Sequence, residues 1–480
     1  MSTQTSDNNK RIAKNTLLLY FRMLFMMVVS LYTSRVILNA LGVEDFGIYN
    51  VVGGVVAMFS VISGSLSAAI SRFITYELGK GDQSKLNKIF SASVTIQLLL
   101  SLIIVILIES MGVWFMNAKM TIPESRMTAA NWVLQFSIIT FVINLISIPY
   151  NAAIIAHEKM SAFAYISILE AVGKLAIAFL IVASPMDRLV FYAILMNIVA
   201  LSVQFTYVFY CRRHFSECIY KFQWNPEVLK KMFGFAGWNF LGAGSALLMT
   251  QGVNILMNMF FGVTLNAARG VANQVDNAVQ QFVNNFTTAI NPQITKSYAT
   301  DNLSYMHQLV CAGSKYSFFL TWFFALPILC ETNEILSIWL KNVPGYSVIF
   351  LKLTIGISLI SVISNTLVTS MLATGDIKKY QIIVGGLGMT IFPLVYIAYK
   401  MGLPPVTSYL IHMAIFITQL CFRLYLLRDM IKLPTMFFVK NTLIPDIKVL
   451  IISSIIPLFL LFLMQDTFIR FFVICIVCVL

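Results

Sequence analysis

From Asn266 to Thr295 the chain reads NAARGVANQVDNAVQQFVNNFTTAINPQIT. Fifteen of these thirty residues are polar, yet long apolar runs flank the stretch on both sides. A helix of this composition cannot face lipid, because hydrocarbon leaves its amides and charges without partners. Placed at 100° per residue, Arg269, Asp276, Gln280, Thr287 and Asn291 fall within about 40° of one line. Ala267, Val271, Val275, Phe282 and Phe286 occupy the opposite strip. The amides either bond to neighbouring helices or line a water-filled path. Their number, with Arg269 and Asp276 seven residues apart, favours the path and makes the five-residue line a candidate substrate surface. Pro292 lacks a backbone donor and is expected to kink the end of this helix.

Composition fixes the setting. Of 480 residues, 59% are hydrophobic and 11% are charged, against about 25% charged in a soluble domain. This excludes a soluble enzyme, a secreted disulfide scaffold and a disordered chain. The expected fold class is an all-α polytopic membrane protein with about 14 transmembrane helices. Apolar runs bounded by charge, Gly or Pro fall at 14–36, 48–76, 88–115, 130–155, 161–183, 189–211, 233–261, 268–297, 306–330, 347–373, 380–399, 406–427, 444–464 and 467–480. The last run is short for a crossing, which implies either a truncated chain or a helix in thinned bilayer. The first ten residues are polar and no small-residue cleavage site follows the first run, so that run reads as a retained anchor.

The net charge of +13 divides between loops and spans. With the N-terminus on side one, the loops there hold 18 Lys and Arg, against 8 on the opposite side. The positive-inside bias therefore places the N-terminus, and after fourteen crossings the C-terminus, in the cytoplasm. Shifting the sequence by 220 lays Gly42-Val43 on Gly262-Val263, Ala69-Ile70 on Ala289-Ile290 and Ser84 on Ser304. Runs one to six then map onto runs seven to twelve, both series starting on the same side. This implies two six-helix halves in parallel pseudo-repeat around a central cavity, with two extra C-terminal helices. The expected division is 1–220, 221–432 and 433–480, with the basic stretch Arg212 to Lys231 as linker.

Several charges lie within the runs. Arg22 stands about one third of the way into the first and must face protein or water, since a charge at that depth costs several kcal/mol. Arg35, nearer the opposite face, is a weaker anion-binding candidate. Lys315 and Lys352 lie within two to three turns of a face and divide evenly between snorkelling and substrate contact. Glu170 and Lys174 form an i,i+4 pair in apolar surroundings, read as either a self-neutralising pair or an ion-coupling site. Asp276 is the other candidate for coupling. Arg72 and Arg423 read as snorkelling residues, and His412 as a packing residue. The seven cysteines read as small hydrophobes. No metal-ligand set, nucleophile triad or phosphate loop is present in the sequence, so no catalytic residue, metal or cofactor is expected.

A polar, basic 6+6+2 bundle resembles the multidrug/oligosaccharidyl-lipid/polysaccharide exporter superfamily, and within it the O-antigen repeat-unit flippases. The residues that carry the resemblance are TSRVILNALGVEDFGIYNVVGG (Thr33 to Gly54) and NAARGVANQVDNAVQQFVNNFTTAINPQITKSYA (Asn266 to Ala299). The resemblance implies a MATE-like membrane protein of the bacterial inner membrane. It further implies that an undecaprenyl-diphosphate-linked oligosaccharide is moved from the cytoplasmic to the periplasmic leaflet for lipopolysaccharide synthesis. Implied partners are that lipid-linked substrate, membrane lipids and polysaccharide assembly proteins, with no nucleic acid. The alternative within the superfamily is a drug or cation antiporter, which calls for an acidic, aromatic cavity. A membrane polymerase or ligase calls for a large outer loop, and the loops here are short.

Overall fold

Two glycines 220 residues apart break the helical path in the same way. Gly42 has φ 80°, ψ 167° and Gly262 has φ 80°, ψ −177°, a region of backbone space essentially reserved for glycine. The offset persists down the chain. Gly81 (φ 75°) and Asp301 (φ 57°) both take left-handed conformations. The next residue in each copy caps the following helix: the Asp82 carboxylate accepts from the Lys85 backbone N–H at 3.1 Å, and the Asn302 side-chain oxygen accepts from the Tyr305 N–H at 3.2 Å. Both are ordinary N-cap residues, and their agreement establishes the repeat in three dimensions.

The computed structural model describes residues 3–57, 60–114, 122–184, 186–222, 225–340, 343–464 and 468–479. Its helices are α1 (Thr3–Ala57), α2 (Ser60–Lys80), α3 (Gln83–Ser110), α4 (Glu124–Ala156), α5 (Met160–Ala183), α6 (Arg188–His214) and α7 (Pro226–Phe261). They continue as α8 (Val263–Ala299), α9 (Leu303–Cys330), α10 (Ser347–Thr374), α11 (Lys378–Lys400), α12 (Thr407–Met430), α13 (Thr435–Leu463) and α14 (Phe468–Val479). Among the described residues there is no strand, and eleven helices are long and apolar enough to cross a membrane. With α2, α8 and α14 they account for the fourteen apolar runs. The second run is shared between the end of α1, beyond Gly42, and α2. Helical backbone continues through Pro292 to the end of α8.

The chain forms two compact units, Met1–Phe240 and Leu241–Leu480. In the first, α4 packs along α6, and α1 along α5. Ile48, Val52, Val133 and Leu134 form its core. Arg126 on α4 ties this unit together at one end: its guanidinium donates to Asp45 at 2.6 and 2.8 Å, and to Asp187, which precedes α6, at 2.5 Å. The Arg126 hydrogen bond holds the Asp187 carboxyl below its usual range. At Ser216–Cys218, in the expected linker, Glu217 meets the His157 ring at 2.5 Å and accepts from Gln83 at 3.1 Å. Burial opposes the Glu217 charge, but these bonds outweigh it and lower its pKa.

In the second unit, α8 packs against α9 and α10, and α9 against α13 and α14. Arg470 on α14 donates two hydrogen bonds, at 2.7 and 2.9 Å, to the buried carboxylate of Glu331 beyond α9. α7, α11 and α13 each contain one π-helical turn, at Leu248–Gly252, Gln381–Gly385 and Val439–Leu443.

Candidate functional site

The charged line of α8 turns toward its own unit. Arg269 is 7% exposed, and its guanidinium lies 5.6 Å from the centre of the Tyr409 ring on α12. Its Nε has no hydrogen-bond partner among the described residues. Asp276 accepts from the Ser358 hydroxyl on α10 at 2.5 Å, and Gln280, one turn on, approaches the same carboxylate. Thr287 is buried and donates to the Asn284 carbonyl at 3.1 Å. The Asn291 side-chain oxygen accepts from Thr369 on α10 at 2.9 Å. The five residues therefore share one face, as their spacing implies, and α10 and α12 receive it.

The exposed face of α8 lies about 100° around the helix from that line. It carries Gln274, Asn277, Gln281 and Asn284, all exposed. Their side chains make no hydrogen bond to protein among the described residues. This amide ridge, spaced i, i+3, i+7, i+10, is the polar surface that α8 presents outward. The helical wheel could not select it, because α8 is polar over more than half its circumference.

In the first unit, residues from α5 and α6 converge on Arg22 of α1. Its guanidinium stacks 4.2 Å over the Phe163 ring of α5, close to the distance at which a cation gains from a ring's negative face. Glu170 on α5 and Tyr207 on α6 are both near enough to act on it electrostatically. Its Nε is buried without a hydrogen-bond partner among the described residues. Glu170 accepts from Lys174 at 2.6 Å, each side chain 37% exposed. The pair is thus half open and has a third charge nearby, which the apolar sequence around it did not reveal.

The remaining charges are dispersed. Lys315 is half-buried, with Nζ 5.1 Å from the Tyr316 ring centre. Lys352 is exposed near the start of α10. The Arg35 side chain lies outside the described residues. Arg423, expected to snorkel, instead donates to Tyr380 at 2.8 Å, Ser364 at 2.9 Å and Gln419 at 3.4 Å. His412 is buried between the Ser408 and Met249 carbonyl oxygens, at 2.7 and 3.1 Å, a packing role. Of the cysteines, Cys211, Cys218 and Cys311 are buried, while Cys421 is exposed.

The sequence reading passed over Asp446. It is 2% exposed on α13, and neither carboxylate oxygen has a hydrogen-bond partner among the described residues. Lys315 on α9 is near enough to act on it electrostatically. An acid two residues before Lys448 at the start of the run 444–464 was the available signal.

Eleven helices long and apolar enough to cross a membrane, with charges held among them, mark a multi-pass membrane protein. Solved transporters share its fold. An outward-facing multidrug resistance MATE family transporter of the MOP superfamily superposes with a TM-score of 0.76 at 12% identity, over 88% of this chain and 96% of that one. The MATE transporter ClbM in complex with Rb+ gives 0.71 at 13%, over 90% and 97%. A MOP superfamily transporter from Pyrococcus furiosus, described as having a binding pocket of reversed polarity, gives 0.69 at 12%, over 86% and 95%. At these identities the likeness concerns the fold alone. The profile of the polysaccharide biosynthesis protein family matches residues 12–298, and the chain belongs to that family, within the MOP superfamily. EpsK of Bacillus subtilis (strain 168), an uncharacterized membrane protein, is 24% identical over 130 residues, which are 27% of this chain and 26% of EpsK. The chain thus matches about a quarter of that relative's length.

Proposed function

We propose that this exporter is a flippase, a transporter rather than an enzyme. It moves an undecaprenyl-diphosphate-linked oligosaccharide, an O-antigen or related repeat unit, from the cytoplasmic to the periplasmic leaflet of the bacterial inner membrane. The observation that carries the reading is the pair of intramembrane arginines, Arg22 and Arg269. Each rests against an aromatic ring and keeps a guanidinium Nε without a partner among the described residues. Guanidinium matches phosphate oxygens in both charge and fork geometry, so each is suited to a diphosphate. The exposed amide ridge of α8 suits the hydroxyls of the glycan, and the lipid tail stays in the bilayer while the head crosses by alternating access. Glu170 and Asp276 are the groups that would couple transport to a cation. Both termini are cytoplasmic in this reading, and the polysaccharide assembly proteins act on the delivered product.

The reading is tested in a bacterial strain that lacks its own repeat-unit flippase and carries this gene with its neighbouring glycosyltransferases. Surface polysaccharide appears with the unaltered protein. It is lost with Arg22→Ala and partly retained with Arg22→Lys. Normal polysaccharide in the alanine variant, at equal protein in the membrane, removes Arg22 from the site. No polysaccharide with the unaltered protein removes the substrate class.

A further inference from the structure

Hydroxyl side chains in these helices usually close onto their own backbone. Thr95, Ser101, Ser147, Ser167, Ser202 and Thr206 each donate to the carbonyl four residues earlier, at 2.7 to 3.0 Å. On α4 Ser147 does so, but Ser125, Thr128, Ser137 and Thr140 do not. Ser137 and Thr140 make no side-chain hydrogen bond among the described residues, and neither does Asn144 one turn further on. All three line a partly open groove of about 180 Å³ within the first unit, between α1, α4 and α6. Spaced i, i+3 and i+7, they form a single polar stripe along its wall.

The other walls are aromatic. Tyr49, Phe136 and Phe141 line the same groove. Tyr49 is fixed by an edge-to-face contact with Tyr192 at 4.7 Å, and Phe136 by stacking on Trp132 at 5.9 Å. A concave site with aromatic walls and a few convergent polar groups is the usual form of a small-molecule pocket. Unspent donors and acceptors in a membrane segment are costly unless water or a ligand meets them. The groove's volume and its open side accommodate one six-membered ring with the rest of a chain continuing outward. A ligand that offers C–H faces to aromatic rings and hydroxyls to a Ser-Thr-Asn stripe is a pyranose.

We infer that this groove is a subsite for a single sugar ring of the transported glycan, with Ser137, Thr140 and Asn144 bonding its hydroxyls and Tyr49, Phe136 and Phe141 packing on its faces. The inference rests on the proposed flippase function for its ligand and goes beyond it by assigning the site. The subsite is separate from the arginines proposed for the diphosphate, so sugar and phosphate are recognised by different residues.

Two experiments test it. In a chain whose native cysteines are replaced, Asn144→Cys is labelled with a small water-borne thiol reagent. Methyl glucopyranoside, methyl galactopyranoside or N-acetylglucosamine at tens of millimolar slows labelling by about fivefold or more as the site fills, while acyclic mannitol does not. Protection by none of the rings, or protection by tetraphenylphosphonium instead, overturns the inference. In the second, Thr140→Val with Asn144→Leu lowers polysaccharide export by about tenfold without lowering the melting temperature, because neither side chain bonds within the fold. Normal export by this double variant overturns the subsite and leaves the flippase reading standing. If the unaltered chain exports no polysaccharide, the flippase reading fails, and the labelling experiment alone decides whether the groove takes a sugar.

Discussion

Helices α2 and α8 occupy the same place in the repeat and solve its problem differently. Each follows a glycine break of the same geometry, and neither is among the helices apolar enough to cross a membrane. α2 combines small residues, Ser60, Ser63, Gly64, Ser65, Ser67, Ala68 and Ala69, with Arg72, Glu77 and Lys80 toward its end. Small side chains let backbones approach closely without asking for many partners. α8 carries amides, a guanidinium and a carboxylate, which must each be met by a neighbour or by water. Ser358, Thr369 and Tyr409 meet one face, and the ridge from Gln274 to Asn284 stays exposed. The repeat thus keeps its backbone geometry while the two helices diverge in composition, α8 carrying many more amides than α2.

The sharpest test of this division is charge reversal. Arg269→Glu is expected to abolish polysaccharide export and Arg269→Gln to reduce it about tenfold, because an acid there repels the diphosphate beyond the loss of attraction. Export is measured as surface polysaccharide per unit of protein in the membrane. Equal effects of the two substitutions would mean that the site does not read charge. The shared geometry is tested next. Gly42→Ala and Gly262→Ala each force a side chain into a strained region at a cost of about 1–3 kcal/mol, so both lower the melting temperature in detergent by similar amounts. A loss in only one of them breaks the structural equivalence of the copies.

Thiol labelling then sharpens the reading of α8. Cysteines at 274, 277 and 281 are expected to react faster than one at 287. The reverse order would return the wet face to the charged line. The smallest effect concerns the first unit alone. The Asp187 carboxyl is held below its usual range by Arg126, so its contribution is fully present above the ordinary carboxylate pKa of about 4. That contribution is lost as pH falls through the lowered value. Melting followed from neutral to acid pH falls more steeply for the unaltered chain than for Asp187→Asn. Parallel curves would show that the Arg126 clasp adds nothing measurable.

The membrane class, the fourteen runs and the 220-residue offset were legible because each rests on one-dimensional signals: hydropathy, loop charge and spacing. The break at Gly42 and its partner was legible as a repeated Gly-Val lying between apolar runs, although the shared backbone angles were not. Which side of α8 is exposed was not legible, since the wheel ranks charge and the neighbouring helices decide burial. The approach of Arg22 to Glu170 and Tyr207 depends on how α1, α5 and α6 cross. A wheel of any single helix holds no such information. Arg423 was misread for the same reason, because Tyr380 and Ser364 come from two other helices.

α12 reaches a backbone carbonyl in the π turn of each of α7 and α11. His412 meets the Met249 carbonyl in the first turn, and Gln419 donates to the Val384 carbonyl in the second at 2.8 Å. One wide turn amounts to a single extra residue, which rotates everything beyond it by about 100°. α7 and α11 therefore behave as spliced rods whose two halves keep different phases, with α12 as the key that holds each splice. Deleting one residue within either turn would re-phase half of that helix against the side chain that α12 offers it.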